Sequence, residues 1–196
     1  MKKSYVVIIT VVAVVAVIVF WMIGAYNKLV VAEESVSTAW ANVESQYQRR
    51  ADLIPNLVST VKGYAAHEQE TLDAVVSARA KATQMTVDAD NLTAESIREY
   101  QAVQGEVGAA LGRLLMVAEN YPDLKANTNF LNLQEQLEGT ENRIQVSRTN
   151  FNESAKAYNM MIRRFPSNIV AGMFGFDKKE YFEAADGAET APQVQF

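Results

Sequence analysis

The chain has no cysteine, one histidine, four prolines and nine glycines in 196 residues. Without cysteine there is no disulfide framework, thiolate zinc site, cysteine nucleophile or lipobox-type lipid anchor; the redox compartment stays open. The lone histidine, His67, cannot build a two-histidine metal site within one chain. So few prolines and glycines do not supply the turns of a β-rich fold, and neither alternating strand patterns nor Asn-Gly hairpin signals occur. Positive charge is also scarce, with 18 Lys+Arg against 23 Asp+Glu and a net charge of −5. Residues 1–27 carry only Lys2 and Lys3, so the remainder sets 16 basic groups against all 23 acids, a balance of −7. A domain so charged repels nucleic-acid phosphates, and no nucleic-acid partner is expected.

What the sequence does have is one long apolar run. Tyr5 to Tyr26 contains no charge, and as a helix it spans about 30 Å, the thickness of a bilayer core. Tyr5, Trp21 and Tyr26 sit near its ends, where amphipathic aromatics favour the membrane interface. A cleavable signal peptide has an apolar region of only about 7–15 residues, so an uncleaved anchor is the preferred reading. Lys2 and Lys3 precede the run; Lys28, Glu33 and Glu34 follow it. The positive-inside rule therefore puts the N-terminus in the cytoplasm. The rest lies in the periplasm or outside the cell, across a bacterial inner or plasma membrane. The expected partition is an anchor over 1–27, one helical domain over 28–185 and a disordered tail over 186–196.

The remaining sequence reads as helices. Val36, Trp40, Val43 and Tyr47, continued by Ile54, Val58, Val61, Ala65, Leu72 and Val75, form one apolar stripe, so helix A is expected over about 28–84. Pro55 either kinks it or ends it near Asp52. The unbroken phase of the stripe favours a continuous kinked helix, with Gly63 a second weak point. Residues 85–92 are turn-like. Helix B is expected to run from near Thr93 to about Asn120, with Ile97, Val103, Val107, Leu111, Leu114 and Ala118 on one face. Gly105, Gly108 and Gly112 share a side of it, where another backbone approaches closely or the helix flexes. After Tyr121-Pro122-Asp123, helix C is expected over about 124–165, with near-heptad apolar spacing from Phe130 to Phe165. The aromatic segment FGFDKKEYFEAA is read as a short fourth helix. The fold class is thus all-α: a transmembrane helix, then a bundle of three long antiparallel helices and one short C-terminal helix.

Chemical motifs are few. His67-Glu68 begins like a zinc-protease helix, but Thr71 stands where the second histidine belongs. No phosphate loop, nucleophile elbow or nucleophile–base pair is present. Glu68, Glu70, Asp73, Glu119, Glu138 and Glu141 read as solvated helix faces or i,i+4 partners rather than catalytic pairs. Neither catalytic residues, nor a metal, nor a cofactor are expected, and the chain is read as a non-enzyme. Glu141 and Arg148 interrupt the heptad stripe of helix C. A polar layer pairing Arg49 or Arg50 with Glu141 would fix register rather than add net stability; solvated charges on a wide helix are the other reading. Trp40, Tyr47, Tyr64, Tyr100, Phe130, Phe151 and Tyr158 are read as core. Phe174, Phe176, Tyr181 and Phe182 either close the bundle end or present an apolar surface to a partner or lipid headgroups.

Five blocks resemble the bacterial LemA family: YNKLV at 26–30, RRADLIPNLVSTVKGYAAHEQETLDAVVSAR at 49–79, AENYPDLKANTNFLNLQEQLEGTENRI at 118–144, FNESAKAYN at 151–159 and FPSNIVAGMFGF at 165–176. They occur in the family's order and cover nearly everything from 26 to 183; the same family includes magnetosome-associated relatives. The resemblance implies a single-pass membrane protein with a helical bundle and no established reaction. Its motif positions are Arg49, Arg50, Asp52, Pro55, Asn56, Tyr64, His67, Glu68, Tyr121, Pro122, Leu124, Lys125, Asn129, Phe130, Glu141, Arg143, Tyr158, Asn159, Phe165 and Pro166. These are the interaction candidates. The glycine-rich 105–112 stretch departs from the family's usual pattern and puts the rigidity of helix B in doubt. The expected function is a membrane-anchored envelope scaffold or interaction module that self-assembles, or else an accessory subunit of another membrane protein such as a protease or transporter. Its partners are then the bilayer, through Tyr5 to Tyr26, and copies of itself or that other protein.

Overall fold

The computed structural model describes residues 2–89 and 92–183. Among these it is all-α, with helices α1 (Lys2–Lys62), α2 (Gln69–Gln84), α3 (Ala94–Ala118), α4 (Pro122–Lys125), α5 (Thr128–Arg163) and α6 (Ser167–Phe174). The expected tail over 186–196 lies outside the described residues.

α1 is both the apolar run and the first helix of the bundle. It has 61 residues, about 90 Å at helical rise. Its N-terminal stretch reaches a mean hydropathy of 3.2 with none of that window buried, and is long and apolar enough to cross a membrane. Residue 27, the expected edge of the anchor, falls inside the helix with no break. Pro55 does not interrupt it either. A proline at this place lacks the N–H that would bond to the carbonyl of Ala51. The Nε of Arg79, on α2, donates to that carbonyl instead at 2.8 Å, so the orphaned acceptor is satisfied by a neighbouring helix.

Helix A ends at Lys62, not near 84. The Tyr64 and Ala65 N–H groups both turn back to the Val61 carbonyl (3.0 and 2.8 Å). The apolar stripe then resumes in α2, which folds back on α1. The stripe kept its phase because both arms of a helical hairpin bury one face; periodicity alone does not tell this from one long helix. α3 starts with a reciprocal capping box between Thr93 and Ser96, Ser96 taking the place usual for Glu or Gln. It stays unbroken through its three glycines. A Cβ on Gly105 or Gly112 would meet nothing within 4 Å, and one on Gly108 would meet only the Arg50 guanidinium, at 3.9 Å. The expected close approach of another backbone does not occur on this face.

Helix C splits at its start. Pro122–Lys125 is a separate single turn, and Asn127 caps α5 by accepting from the Phe130 N–H at 3.0 Å. The short C-terminal helix lies earlier than expected, at Ser167–Phe174, and residues 176–183 adopt no regular secondary structure. Gly175 ends α6 at φ 75°, with the Phe176 N–H reaching the Ala171 carbonyl at 3.0 Å; this left-handed C-terminal turn favours glycine.

α5 packs antiparallel along α1, and α2 with α3 covers the distal half of α1. The register is uniform: Trp40 meets Phe151, ring centroids 5.6 Å apart, and Arg50 meets Glu141 at 3.0 Å, ten residues further on in each helix. Two apolar cores result. The proximal one, nearer the apolar run, centres on Trp40, Tyr47, Tyr100, Phe151, Tyr158 and Phe182. The distal one is mainly aliphatic and includes Ile54, Leu57, Val75, Leu111, Leu114 and Leu137.

Candidate functional site

The boundary between the two cores is polar. Arg50 is only 4 % exposed. Its Nη1 donates to Glu141 Oε1 at 3.0 Å, and its Nη2 to the Gln104 backbone carbonyl at 2.8 Å and side-chain Oε1 at 2.7 Å. The guanidinium also lies over the Tyr47 ring, 5.0 Å from its centroid. A buried guanidinium is tolerated only when its donors are met this fully. One arginine thereby ties α1, α3 and α5 together at one height and marks their register. Arg50 rather than Arg49 makes the pair. Arg49, Asn56 and Arg143 are exposed; Asp52 accepts from Gln48 Nε2 one turn away at 2.8 Å. A cleft of about 350 Å³ beside the node is lined by Glu44, Arg50, Arg79, Tyr100 and Gln104 among others.

The distal tip gathers a second set of motif residues. Tyr121 donates its hydroxyl to Glu68 at 2.9 Å, and the Asn127 amide donates to the Tyr64 hydroxyl at 2.8 Å. The bond to Glu68 raises the Tyr121 phenol above its ordinary pKa. Lys125 pairs with Glu119, Pro122 opens α4, and Phe130 is buried beneath. These contacts link the α1–α2 turn to the α3–α5 connection. Tyr64, expected in the core, is 44 % exposed here, and His67 is exposed beside it.

The third set is at the proximal end, where residues 176–183 form a strap. The Asn159 side chain brackets Lys179: its Oδ1 accepts from the Lys179 N–H at 2.9 Å and its Nδ2 donates to the Lys179 carbonyl at 2.7 Å. Asn152, seven residues earlier, brackets Phe182 in the same way, at 2.9 and 3.0 Å. Lys179 pairs with Glu33 of α1 at 2.9 Å. Phe182 stacks on Trp40, centroids 5.6 Å apart, under the Arg148 guanidinium. Glu183 takes Arg98 and Gln101 of α3 and Arg148 of α5. Arg148 thus serves the strap, and it also hydrogen-bonds Tyr47 beside the node. Asn152 carries half of this clasp and was not among the sequence candidates. The available signal was an Asn beside a core aromatic in both Phe151-Asn152 and Tyr158-Asn159, seven residues apart. Burial raises the phenol pKa of Tyr47, Tyr100 and Tyr158 in this core; the charge of Glu44 adds to the effect at Tyr100, and those of Glu33 and Asp177 at Tyr158.

The motif residues that make these contacts therefore fall in three places along one rod, while Arg49, Asn56 and Arg143 are exposed and Phe165 and Pro166 form the turn between α5 and α6. Among the described residues no group of three or more His, Asp or Glu side chains is arranged to hold a metal ion. Fold and site together define a class: a helical-bundle protein continuous with an N-terminal helix long and apolar enough to cross a membrane. Within that class, the sequence profile of the LemA family matches residues 39–196, and the chain belongs to that family. It is similar to the magnetosome protein MamQ 1 of Paramagnetospirillum magneticum, 28 % identical over 93 % of this chain and 73 % of the relative. The MamQ of Magnetospirillum gryphiswaldense is 27 % identical over 86 % and 70 %. Protein LemA of Metamycoplasma hominis is 24 % identical over 85 % and 73 %.

Proposed function

We propose that the chain is a membrane-anchored, non-enzymatic scaffold that holds a helical interaction surface at a fixed distance and angle from the bilayer. The observation that carries this reading is the continuity of α1, whose exposed apolar end and buried central stripe belong to one helix. A flexible linker would let the bundle sample all orientations; an unbroken helix does not. The polar node supports the same reading, because three hydrogen bonds of the buried Arg50 go to the protein's own acceptors. Residues 5–26 cross a bacterial inner or plasma membrane with the N-terminus in the cytoplasm, on the charge bias of Lys2 and Lys3. The bundle then stands in the periplasm or outside the cell. Many copies tethered in one bilayer meet at raised effective concentration, which favours self-assembly.

The test is the native mass of full-length protein extracted gently from its own membranes, with co-purifying chains identified. A homogeneous multiple of about 22 kDa is expected. A stoichiometric foreign subunit would instead make this an accessory protein of another membrane complex. A strict monomer that gives no crosslinks in native membranes would refute self-assembly.

A further inference from the structure

α6 buries Val170 and Ala171 against the bundle, yet its opposite side is apolar too. Phe165 is 76 % exposed, Ile169 51 %, Met173 62 % and Phe174 52 %. Ile169 and Met173 lie one turn apart on the outer side of α6, with Phe165 just before the helix and Phe174 at its last position. No charged residue occurs from Phe165 through Phe176. Large exposed apolar faces on a folded domain mark a contact surface.

The position of this face identifies the contact. The α1–α5 register set by Trp40–Phe151 and Arg50–Glu141, extended fourteen residues, brings Phe165 level with Tyr26. The far end of α6 reaches the same level by direct contact: the Phe174 and Phe176 rings pack on Tyr26 with centroids 4.9 and 5.6 Å away. Tyr26 closes the uncharged run of α1. Both ends of α6 therefore sit where α1 leaves the apolar layer, so the short helix lies across α1 rather than along it. Lys28, Arg163 and Arg164 are exposed within about one turn of this level. Glu33, Asp177 and Glu180 come next, on the bundle side, with Lys178 and Lys179 paired to Glu180 and Glu33 there. Cations at the apolar boundary with acids further out suit a phospholipid surface, where Lys and Arg reach the phosphates.

We infer that Phe165 and α6 form a second membrane contact, an apolar wedge seated at the headgroup–acyl boundary of the leaflet from which the bundle rises, with Lys28, Arg163 and Arg164 at the phosphates. The inference rests on residues 5–26 being the membrane span. A single helix leaves a rod free to tilt; a wedge beside it adds a second point of support and fixes the tilt.

The natural absence of cysteine allows single spin labels on the full-length protein in phospholipid nanodiscs holding one copy each. Labels at Ile169→Cys and Met173→Cys are compared with Val12→Cys in the apolar run and Ser59→Cys on the exposed distal surface. Their accessibility to dissolved oxygen and to a water-soluble nickel chelate is read by power saturation. The expected result is nickel accessibility at 169 and 173 several-fold below that at 59, with oxygen accessibility raised as at 12. Water-like values at 169 and 173 beside a lipid-shielded 12 would overturn the wedge and leave the span intact. Water-like values at 12 as well would overturn the span itself. Shielding at 169 and 173 that appears only with several copies per disc would assign the face to a second copy and overturn the lipid contact.

Discussion

The two cores are built by different means, although they share α1 and α5. The distal core is aliphatic, with Phe130 its one fully buried phenyl ring, and is closed by short turns: residues 63–68 reverse α1 into α2, and 119–127 lead α3 into α5. It joins the α1–α2 and α2–α3 hairpins to the start of α5. The proximal core is aromatic and is closed from the far end of the chain, by a strap threaded over Tyr158, Trp40 and Phe151. Local hairpins need only amphipathic helices. The α2–α3 connection and the start of α3 reach the proximal core through Leu92, Ile97 and Tyr100, and the C-terminal segment closes the rest of it. Arg50, on α1, stands between the halves and binds groups from α3 and α5.

Breaking the proximal half at its centre has the largest expected effect. Trp40→Ala removes a ring that touches Tyr100, Phe151 and Phe182 and should cost about 4 kcal/mol. In chemical denaturation the proximal amides should lose protection from hydrogen exchange while the distal ones keep most of theirs. Next comes Arg50→Ala, which leaves the buried Gln104 carbonyl and side-chain oxygen without their donor and empties the space of a buried side chain. The expected cost is about 3 kcal/mol, and it should appear as loss of cooperativity between the halves, with two unfolding transitions replacing one. Glu141→Gln should be much milder, since the Glu141 side chain is 42 % exposed and exposed pairs contribute little.

Asn159→Ala removes both hydrogen bonds to the Lys179 backbone. It should cost about 2 kcal/mol and raise proteolysis within 176–183, leaving the distal tip unchanged. The smallest effect is silent at neutral pH. The folded pKa values of Tyr47, Tyr100 and Tyr158 are raised above the ordinary 10.0 by burial. For an acid whose folded pKa is raised, the stabilisation is complete below the unfolded value and is lost as pH climbs through the folded one. Stability should therefore be flat up to about pH 10 and fall above it. The late part of the tyrosinate absorbance should appear together with loss of helical circular dichroism. Early, non-cooperative ionisation of all tyrosines would contradict the sealed proximal core.

The contrast also explains what the sequence made legible. Stripes on α1, α3 and α5 are periodic, so the helices and most core residues could be read from spacing; a polar layer at Glu141 is one of two readings the spacing allows, and spacing does not choose between Arg49 and Arg50. The hairpin at Gly63 could not, because both of its arms continue one apolar phase. Pro55 looked like the weaker point, and its tolerance depends on Arg79, 24 positions away, which no local rule connects to it. The strap was misread as a helix: its aromatics, Phe176, Tyr181 and Phe182, are placed by an irregular backbone hydrogen-bonded to two asparagines. An irregular segment fixed by side chains of another element leaves no periodicity of its own. Of the motif positions, the sequence supplied the identities but not their division among node, tip and strap, since that grouping exists only once α5 lies antiparallel on α1.

The central claim is that membrane span and bundle share one rigid helix. The most direct measurement is the distance between spin labels at Gly24→Cys and Ser59→Cys in the full-length protein in nanodiscs, diluted with unlabelled chains and read by double electron–electron resonance. A straight helix over these 35 positions spans about 52 Å. A single narrow distribution near that value is predicted, carried through Lys28 and Pro55 alike. A broad distribution, or one centred far below it, would show a hinge between the two and contradict the account.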